Sequence, residues 1–389
     1  MSAGAATARR IVIVGGGIAG LATAARLAQA GFAVTLFESS ELGSAASTRN
    51  QGWLHSGALF ALDAPAYARV CHESLESTLR FCPECVEPQV AAMAYLFSRP
   101  ETLVKSWTDA WTAAGIPWKE LPIDPVCAAL PGIDRARIQH AYQLPDRAIR
   151  QDILLTHLAA AAQNAGVEIR TATPAKCLPI ENERVAGVVT SSGEEVAAQL
   201  VILASGSSGF SMCREFLEQR PGSQQEFELA PLKAHLAAVE PHIGLLPFCI
   251  PDADGLNHIP HPPASVFGTA HWERVSTPDD RPDAKQVERL RSRIHEIFPD
   301  VAASSRSLQT WSGTMIQALR FDQIETGGAI WPAVIDHARH VPRVQNLVSV
   351  FSGRATLWSK LAEDARRLVR AKLDDTVPKT ARPPWTGSE

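Results

Sequence analysis

Arg10-Ile11-Val12-Ile13-Val14-Gly15-Gly16-Gly17-Ile18-Ala19-Gly20 leads into an alanine-rich stretch and then into Ala33-Val34-Thr35-Leu36-Phe37-Glu38. Residues 11–14 are uniformly apolar, the pattern of a parallel strand buried on both faces. The glycines then turn the chain. Gly15 permits the tight turn, Gly17 lets the backbone approach a pyrophosphate, and Gly20 lets the following helix lie close to the strand. A helix over 18–30 presents its free N–H groups, at Ile18 and Ala19, where the helix dipole favours negative charge. Leu21, Ala24, Ala25 and Ala28 keep one face of it small and apolar, and Gly31 is placed to end it. The second strand, Ala33–Phe37, delivers Glu38 eighteen positions after Gly20. That is close to the spacing at which a carboxylate accepts hydrogen bonds from an adenosine ribose, and an acid there argues against a 2′-phosphate. A lone glycine motif is weak, but strand, glycines, helix, strand and carboxylate in order read as a dinucleotide-binding βαβ unit.

The chain has 389 residues, 46% hydrophobic and 20% charged, enough for two domains and a large core. A net charge of −4 and the absence of a Lys/Arg run give no basic face for nucleic acid. The apolar start is broken by four glycines and Arg26 and is accounted for by the βαβ unit, so it is not read as an export signal. No stretch is apolar for long enough to span a membrane, which leaves peripheral membrane contact open. Seven scattered cysteines, an odd number, suit a reducing cytoplasm. Cys82-Pro83-Glu84-Cys85 has no second pair, so a zinc site there lacks half its ligands; two packed thiols are preferred to a redox disulfide, and no metal is expected.

Residues 41–60 are rich in Ser, Gly, Thr and Asn and read as a loop. A helix is expected over 65–80, opened by Pro65. A strand over 93–97, a helix over 101–114 and proline-rich connections follow. From Asp146 a helix runs to Gly166 and feeds a strand over 167–170. A hairpin is expected from 176–180 and 186–190 with its turn at Ser192-Gly193, and then the buried strand Leu200–Leu203. Residues 222–330 read as alternating strands with one long helix over 283–298. Leu347–Phe351 is a strand, Ser352-Gly353 a turn, and 356–373 a helix. The expected class is α/β: a Rossmann-like nucleotide-binding domain assembled from three segments (8–80, 146–215 and 331–375), with an inserted, mainly antiparallel α+β substrate domain (81–145 and 216–330) and a disordered tail over 376–389.

Four stretches resemble the FAD-dependent oxidoreductases of the D-amino-acid oxidase type: the opening unit with Glu38; Ser47-Thr48-Arg49-Asn50-Gln51-Gly52-Trp53-Leu54-His55-Ser56-Gly57; Val201-Ile202-Leu203-Ala204-Ser205-Gly206; and the run from Phe351 to Ala365. The second is similar to a segment of L-2-hydroxyglutarate oxidases and dehydrogenases, and the last to the terminus of glycerol-3-phosphate dehydrogenases. The resemblance implies FAD, held by Gly15, Gly17, Ile18, Ala19, Gly20, Glu38, Ser39, Thr48, Arg49, Asn50, Gln51, Gly52, Val167, Ala204, Ser205, Gly206, Gly353, Arg354, Ala355 and Thr356. It places His55 beside the isoalloxazine.

The departures bear on substrate. Where that family carries an arginine that grips a carboxylate or phosphate, this chain has Met315. Arg320 is the nearby substitute, although five residues along a strand is about 16 Å. Arg49 and Lys233 are candidate anion clamps. His258, His261 and His271 lie close in sequence and, with His55 and Arg320, are the catalytic candidates, since a histidine near neutrality suits proton uptake. The reading is an oxidoreductase taking a hydride from a C–H beside the hydroxyl of a small, anionic 2-hydroxy acid or polyol phosphate. Its rivals are amino-acid or secondary-amine oxidation on the same fold, and a flavin-binding protein without turnover. Oxygen, a quinone or a redox protein is the electron acceptor; with no second nucleotide motif, NAD(P)H is not expected as a direct partner.

Overall fold

The structure is a computed structural model that describes residues 9–98, 101–215, 227–252, 255–269, 272–301, 307–320, 330–340 and 343–373. It is built on two large sheets. The first has six strands in the order Ala333–Asp336, Leu347–Phe351, Leu200–Leu203, Arg10–Val14, Ala33–Phe37, Glu168–Arg170. All pair in parallel except Ala333–Asp336, which runs against Leu347–Phe351. Ile11 sits between Leu200 and Val34, so the chain order reverses across Arg10–Val14. In an open parallel sheet, that reversal opens a crevice at the carboxyl ends of the strands. Helix Ile18–Gln29 buries Leu21, Ala24, Ala25 and Leu27 on one face, and Gly31 closes it at φ 93°.

The second sheet has nine strands and joins two distant parts of the sequence. Ala94–Phe97 and His140–Gln143 share it with Phe248–Cys249, Leu256–His261, Ala264–Thr269 and Phe227–Glu240. The last of these pairs with Ser307–Arg320 along its whole length, from Phe227↔Arg320 to Glu240↔Ser307. Helix Ala284–Ile297 packs Leu290, Ile294 and Ile297 beneath it, and Asp283 caps the helix through Lys285 and Gln286 N–H.

Three local readings are corrected. The chain does not enter a helix at Asp146: Arg147–Ala148 is a short strand paired with Trp53–Leu54, and the helix is Gln151–Asn164. Asp146 is fully buried and takes hydrogen bonds from three side chains, which holds it out of the helix. The expected hairpin turns at Asn182-Glu183, both at positive φ, while Ser192-Gly193 connects Gly187–Thr190 to the further strand Glu195–Ala197. The terminal helix begins as a 3-10 turn, Ala355–Leu357, before Trp358–Leu373. The tail beyond 373 lies outside the described residues, and no helix among them is long and apolar enough to cross a membrane.

His258 belongs to the core. It is 0% exposed, lies between the rings of Phe248 and Phe267, and spends both nitrogens locally, Nδ1 on Leu246 O at 3.1 Å and Nε2 on Ser265 Oγ at 2.7 Å. Burial pushes its pKa down to about 3. The native ring stays neutral while the unfolded ring takes up a proton below its ordinary value of about 6.5. His258 therefore contributes stability that is present above about pH 6.5 and is lost as pH falls towards about 3. Urea midpoints measured from pH 7 to pH 4 are expected to fall, and His258→Asn is expected to make that fall shallower by about 1.4 kcal/mol per pH unit. An unchanged slope in the variant would refute this assignment.

Candidate active site

An open cleft of about 1200 Å³, mouth included, follows the crevice at the sheet's carboxyl edge. It is lined by Glu38, Ser39 and Ser40, by the glycine turn, and by Ser352 and Gly353 with Thr314, Met315 and Ile316 from the long strand. A Cβ on Gly15, at φ 113°, would fall 2.6 Å from Ala204 O, and one on Gly20 would fall 1.9 Å from Gly15 O. Helix Ile18–Gln29 has no side-chain cap at Gly17, and the N–H of Ile18 donates to Ser47 Oγ at 3.0 Å. Ala19 lines the cleft one position on. Glu38 reaches back over the turn: Oε2 accepts the Gly16 N–H at 2.7 Å, and Oε1 accepts the Ser39 hydroxyl and Ser40 N–H, each at 2.9 Å.

Ala204, Ser205 and Gly206 form the opposite wall, and Ser205 Oγ is buried in it without a hydrogen-bond partner. A buried hydroxyl left unmatched is costly unless something completes it. A cleft lined by a helix N-terminus whose Ile18 N–H meets only the Ser47 hydroxyl, by a carboxylate and by such a hydroxyl fits an adenine dinucleotide. Val167 does not reach it; that side chain packs in the core, and Pro174 and Ala175 stand at the cleft in its place.

The segment between Ser47 and His55 mainly shapes the site. Thr48 Oγ1 donates to Gly43 O at 2.8 Å, and Asn50 Oδ1 accepts from Gly52 N–H and Gln151 Nε2, each at 2.9 Å. Gly52 has φ 72°, and a Cβ there would lie 2.6 Å from Ile149 O. His261 meets Gln51 O at 3.0 Å through Nε2, and its Nδ1 lies 3.6 Å from Glu87. It ties the second sheet to this loop and is not among the residues lining the cleft. Ser47, where the second family-like stretch begins, lines it with Ala45 and Ala46.

Both expected anion clamps already have carboxylate partners. Lys233, 4% exposed, bonds Asp279 at 3.0 Å, and Arg49 pairs with Asp280. Trp311 Nε1 and Thr314 Oγ1 hold the same neighbourhood by donating to Arg49 O and Asp279 O. Met315 does line the cleft. His271 lies outside the described residues, and of Arg320 only the backbone is described, at the end of its strand.

His55 stands beside the turn after Gly353 and, like His261, is not among the residues lining the cleft. Its N–H donates to Thr356 Oγ1 at 3.3 Å, and its ring lies edge-on to Trp53 and Phe60. The ring is buried, and neither nitrogen has a hydrogen-bond partner. Burial first, and the charge of Arg354 second, hold its pKa well below the ordinary histidine value, so it is a neutral imidazole near neutrality. Arg354 lies over the ring of Phe60 at 4.6 Å and near Trp272 at 5.9 Å. Gly353, at φ 66°, turns the chain into this arginine; a Cβ there would sit 2.6 Å from Ile330 O. Ala355 and Thr356 line a small adjoining cavity with Asn50 and Trp53.

Asp146 holds the His55 segment from behind. It accepts Trp53 Nε1–H at 2.9 Å and Tyr95 O–H at 3.3 Å on one oxygen, and the Ser56 hydroxyl at 2.5 Å on the other. Burial raises its pKa, and the bonds from Ser56 and Trp53 oppose that rise. In sequence, Asp146 looks like a helix opener, so nothing marks it there.

Comparison with known proteins agrees with this geometry. The family described as DAO, FAD dependent oxidoreductase, matches residues 10–353. This chain belongs to that family of FAD-dependent oxidoreductase enzymes. It is 26% identical over 383 residues to one subunit of the anaerobic glycerol-3-phosphate dehydrogenase of Escherichia coli K12, covering 95% of this chain and 68% of that protein. It is 27% identical over 317 residues to the glycine oxidase of Pseudomonas aeruginosa, covering 78% of this chain and 82% of that one. In fold, it superposes on the glycine oxidase of Geobacillus kaustophilus with a TM-score of 0.71 at 21% identity, covering 92% and 95% of the two chains.

Two variants test the site. Gly15→Ala places a side chain against Ala204 in a conformation that costs about 1–3 kcal/mol, so it should fold with an unchanged circular dichroism spectrum but weaken flavin binding roughly tenfold or more. Flavin absorbance per chain after purification reads this, and full flavin content would contradict it. Asp146→Asn keeps the shape but weakens three charge-assisted bonds; a loss of about 1–3 kcal/mol in urea unfolding is expected, and no loss would mean that the carboxylate is not holding the segment.

Proposed function

We propose that this enzyme oxidises a C–H beside the hydroxyl of a small anionic substrate, of the 2-hydroxy acid or polyol phosphate type. FAD, when bound, supplies the hydride acceptor. In this reading, the Rossmann-like FAD-binding domain is assembled from 8–80, 146–215 and 331–375, and 81–145 with 216–330 form the inserted substrate domain. Glu38 and Ser39 take the adenosine ribose. Gly15, Gly17, Ile18, Ala19 and Gly20 take the pyrophosphate, Ala204 to Gly206 line the opposite wall, and the Gly353–Thr356 turn faces the reacting end.

His55 carries the proposal. An alcohol is too weak an acid to lose its proton unaided as the hydride departs, so a positioned acceptor is needed. His55 is a buried, neutral imidazole with both nitrogens unengaged by protein groups, held against the turn after Gly353. An amine already unprotonated has no such need. Arg354 beside it supplies the positive charge for an anionic group on the substrate and for negative charge developing nearby. Met315 takes the substrate side of the cleft, and Lys233 and Arg49, already paired with Asp279 and Asp280, support the strand that carries it. Electrons then leave to oxygen, a quinone or a redox protein, and a cytoplasmic location suits the seven cysteines, free among the described residues.

The test is an anaerobic screen of the purified yellow protein against 2-hydroxy acids, polyol phosphates and amino acids, followed by flavin absorbance. A hydroxy compound is expected to bleach the flavin, and His55→Gln to slow bleaching about 10²–10⁴-fold with flavin content retained. Because the ring is neutral near pH 7, the rate should be flat above about pH 6.5 and decline only on acidification through the lowered pKa. Bleaching by amines alone, or an unimpaired His55→Gln, would overturn the proposal. Amine oxidation would then follow the glycine oxidase relatives.

A further inference from the structure

We propose that Cys82, Cys85, Glu84 and His157 form a tetrahedral zinc site that staples the end of helix Pro65–Phe81 to helix Gln151–Asn164. In sequence, the Cys-Pro-Glu-Cys motif offers only half a ligand set; the fold brings the remainder. The ligand atoms of Cys82, Glu84 and His157 all lie within 4.8 Å of one another. The Cys85 thiol lies close enough to that of Cys82 for each to shift the other's pKa, and the Cys85 N–H donates to Cys82 O at 3.1 Å.

The scaffold is fixed independently of any ion. Cys85 O accepts the Arg150 N–H at 2.7 Å, and Arg150 Nη2 donates to Glu84 O at 2.8 Å. These bonds hold the 3-10 turn Pro83–Cys85 against the start of the helix that carries His157. Phe81 stands edge-on to the His157 ring, with centroids 6.4 Å apart.

Two thiolates, an imidazole and a carboxylate are a zinc donor set, with bonds of about 2.3 Å to sulfur and about 2.0–2.2 Å to nitrogen and oxygen. A tetrahedron of those bonds has edges of about 3.3–3.8 Å, so the Cys82, Glu84 and His157 atoms close by up to about 1 Å on loading, and the Cys85 sulfur, which lies outside that trio, moves in to join them. Glu84 is exposed and His157 half-buried, so both are able to make that movement, while the two cysteines are fully buried beneath them. The ion therefore enters from the Glu84–His157 side. Two Zn–S bonds form and two S–H protons are released, with no change of oxidation state. The loaded site carries one net negative charge, which the adjacent Arg150 guanidinium balances.

The experiment uses the reduced, chelator-stripped flavoprotein dialysed against buffered zinc, with elemental analysis and zinc-edge X-ray absorption. One zinc per chain, with two sulfur neighbours, is expected. Cys82→Ser and His157→Ala should each weaken zinc uptake by roughly tenfold or more without loss of flavin, while Cys177→Ser, which removes the exposed cysteine, should leave uptake intact. Should Cys82→Ser fail to fold, the surface variant His157→Ala decides. No zinc uptake by the parent protein, a shell without sulfur, or uptake abolished only by Cys177→Ser would overturn the site.

Discussion

No side chain fits between the glycine turn and the wall that faces it. Gly15 passes so close to Ala204, and Gly20 to Gly15, that a single methyl group at either place would collide with backbone. This contact lets helix Ile18–Gln29 begin at the sheet's edge, where strand order reverses. The first turn of the helix lines the cleft through Ile18 and Ala19. The rest of the site is arranged relative to that turn: Glu38 folds back over it, Ser47 meets its first N–H, and Ser205 stands across from it.

A second constraint couples the two sheets. The loop after Ser47 is anchored towards the helix Gln151–Asn164 through Asn50, towards the second sheet through Gln51 and His261, and towards the buried Asp146 through Trp53 and Ser56. His55 is thus carried on a segment held on both sides, with its ring packed between Trp53 and Phe60. In the proposed reading, binding and chemistry are divided accordingly: the parallel sheet would hold the dinucleotide, and the tethered loop carries an imidazole kept neutral by burial and by Arg354.

The nucleotide cradle is legible in sequence because its determinants are local. Glycine spacing, an apolar strand and a carboxylate lie within one βαβ unit, and backbone sterics alone give each its meaning. The long pairing of Phe227–Glu240 with Ser307–Arg320 is not specified there, since it joins stretches separated by a helix. Histidines in the inserted region look catalytic by their number; His258 proves to be a satisfied core residue, because stacking between two phenylalanines has no signature in spacing. Lys233 and Arg49 look like anion clamps until the fold brings Asp279 and Asp280 to them. Asp146 and the Glu84–His157 juxtaposition are invisible for the same reason: their partners lie tens of residues away.

The central claim is that this cleft holds FAD with its reacting end against the Gly353–Thr356 turn, within reach of His55. A crystal structure of the yellow protein with a non-reducible hydroxy-acid analogue tests it most directly. The account predicts the adenosine ribose on Glu38, the pyrophosphate at the start of helix Ile18–Gln29, and the analogue's hydroxyl hydrogen-bonded to a His55 ring nitrogen. A flavin ring seated elsewhere, or an analogue whose hydroxyl meets no imidazole, would contradict it.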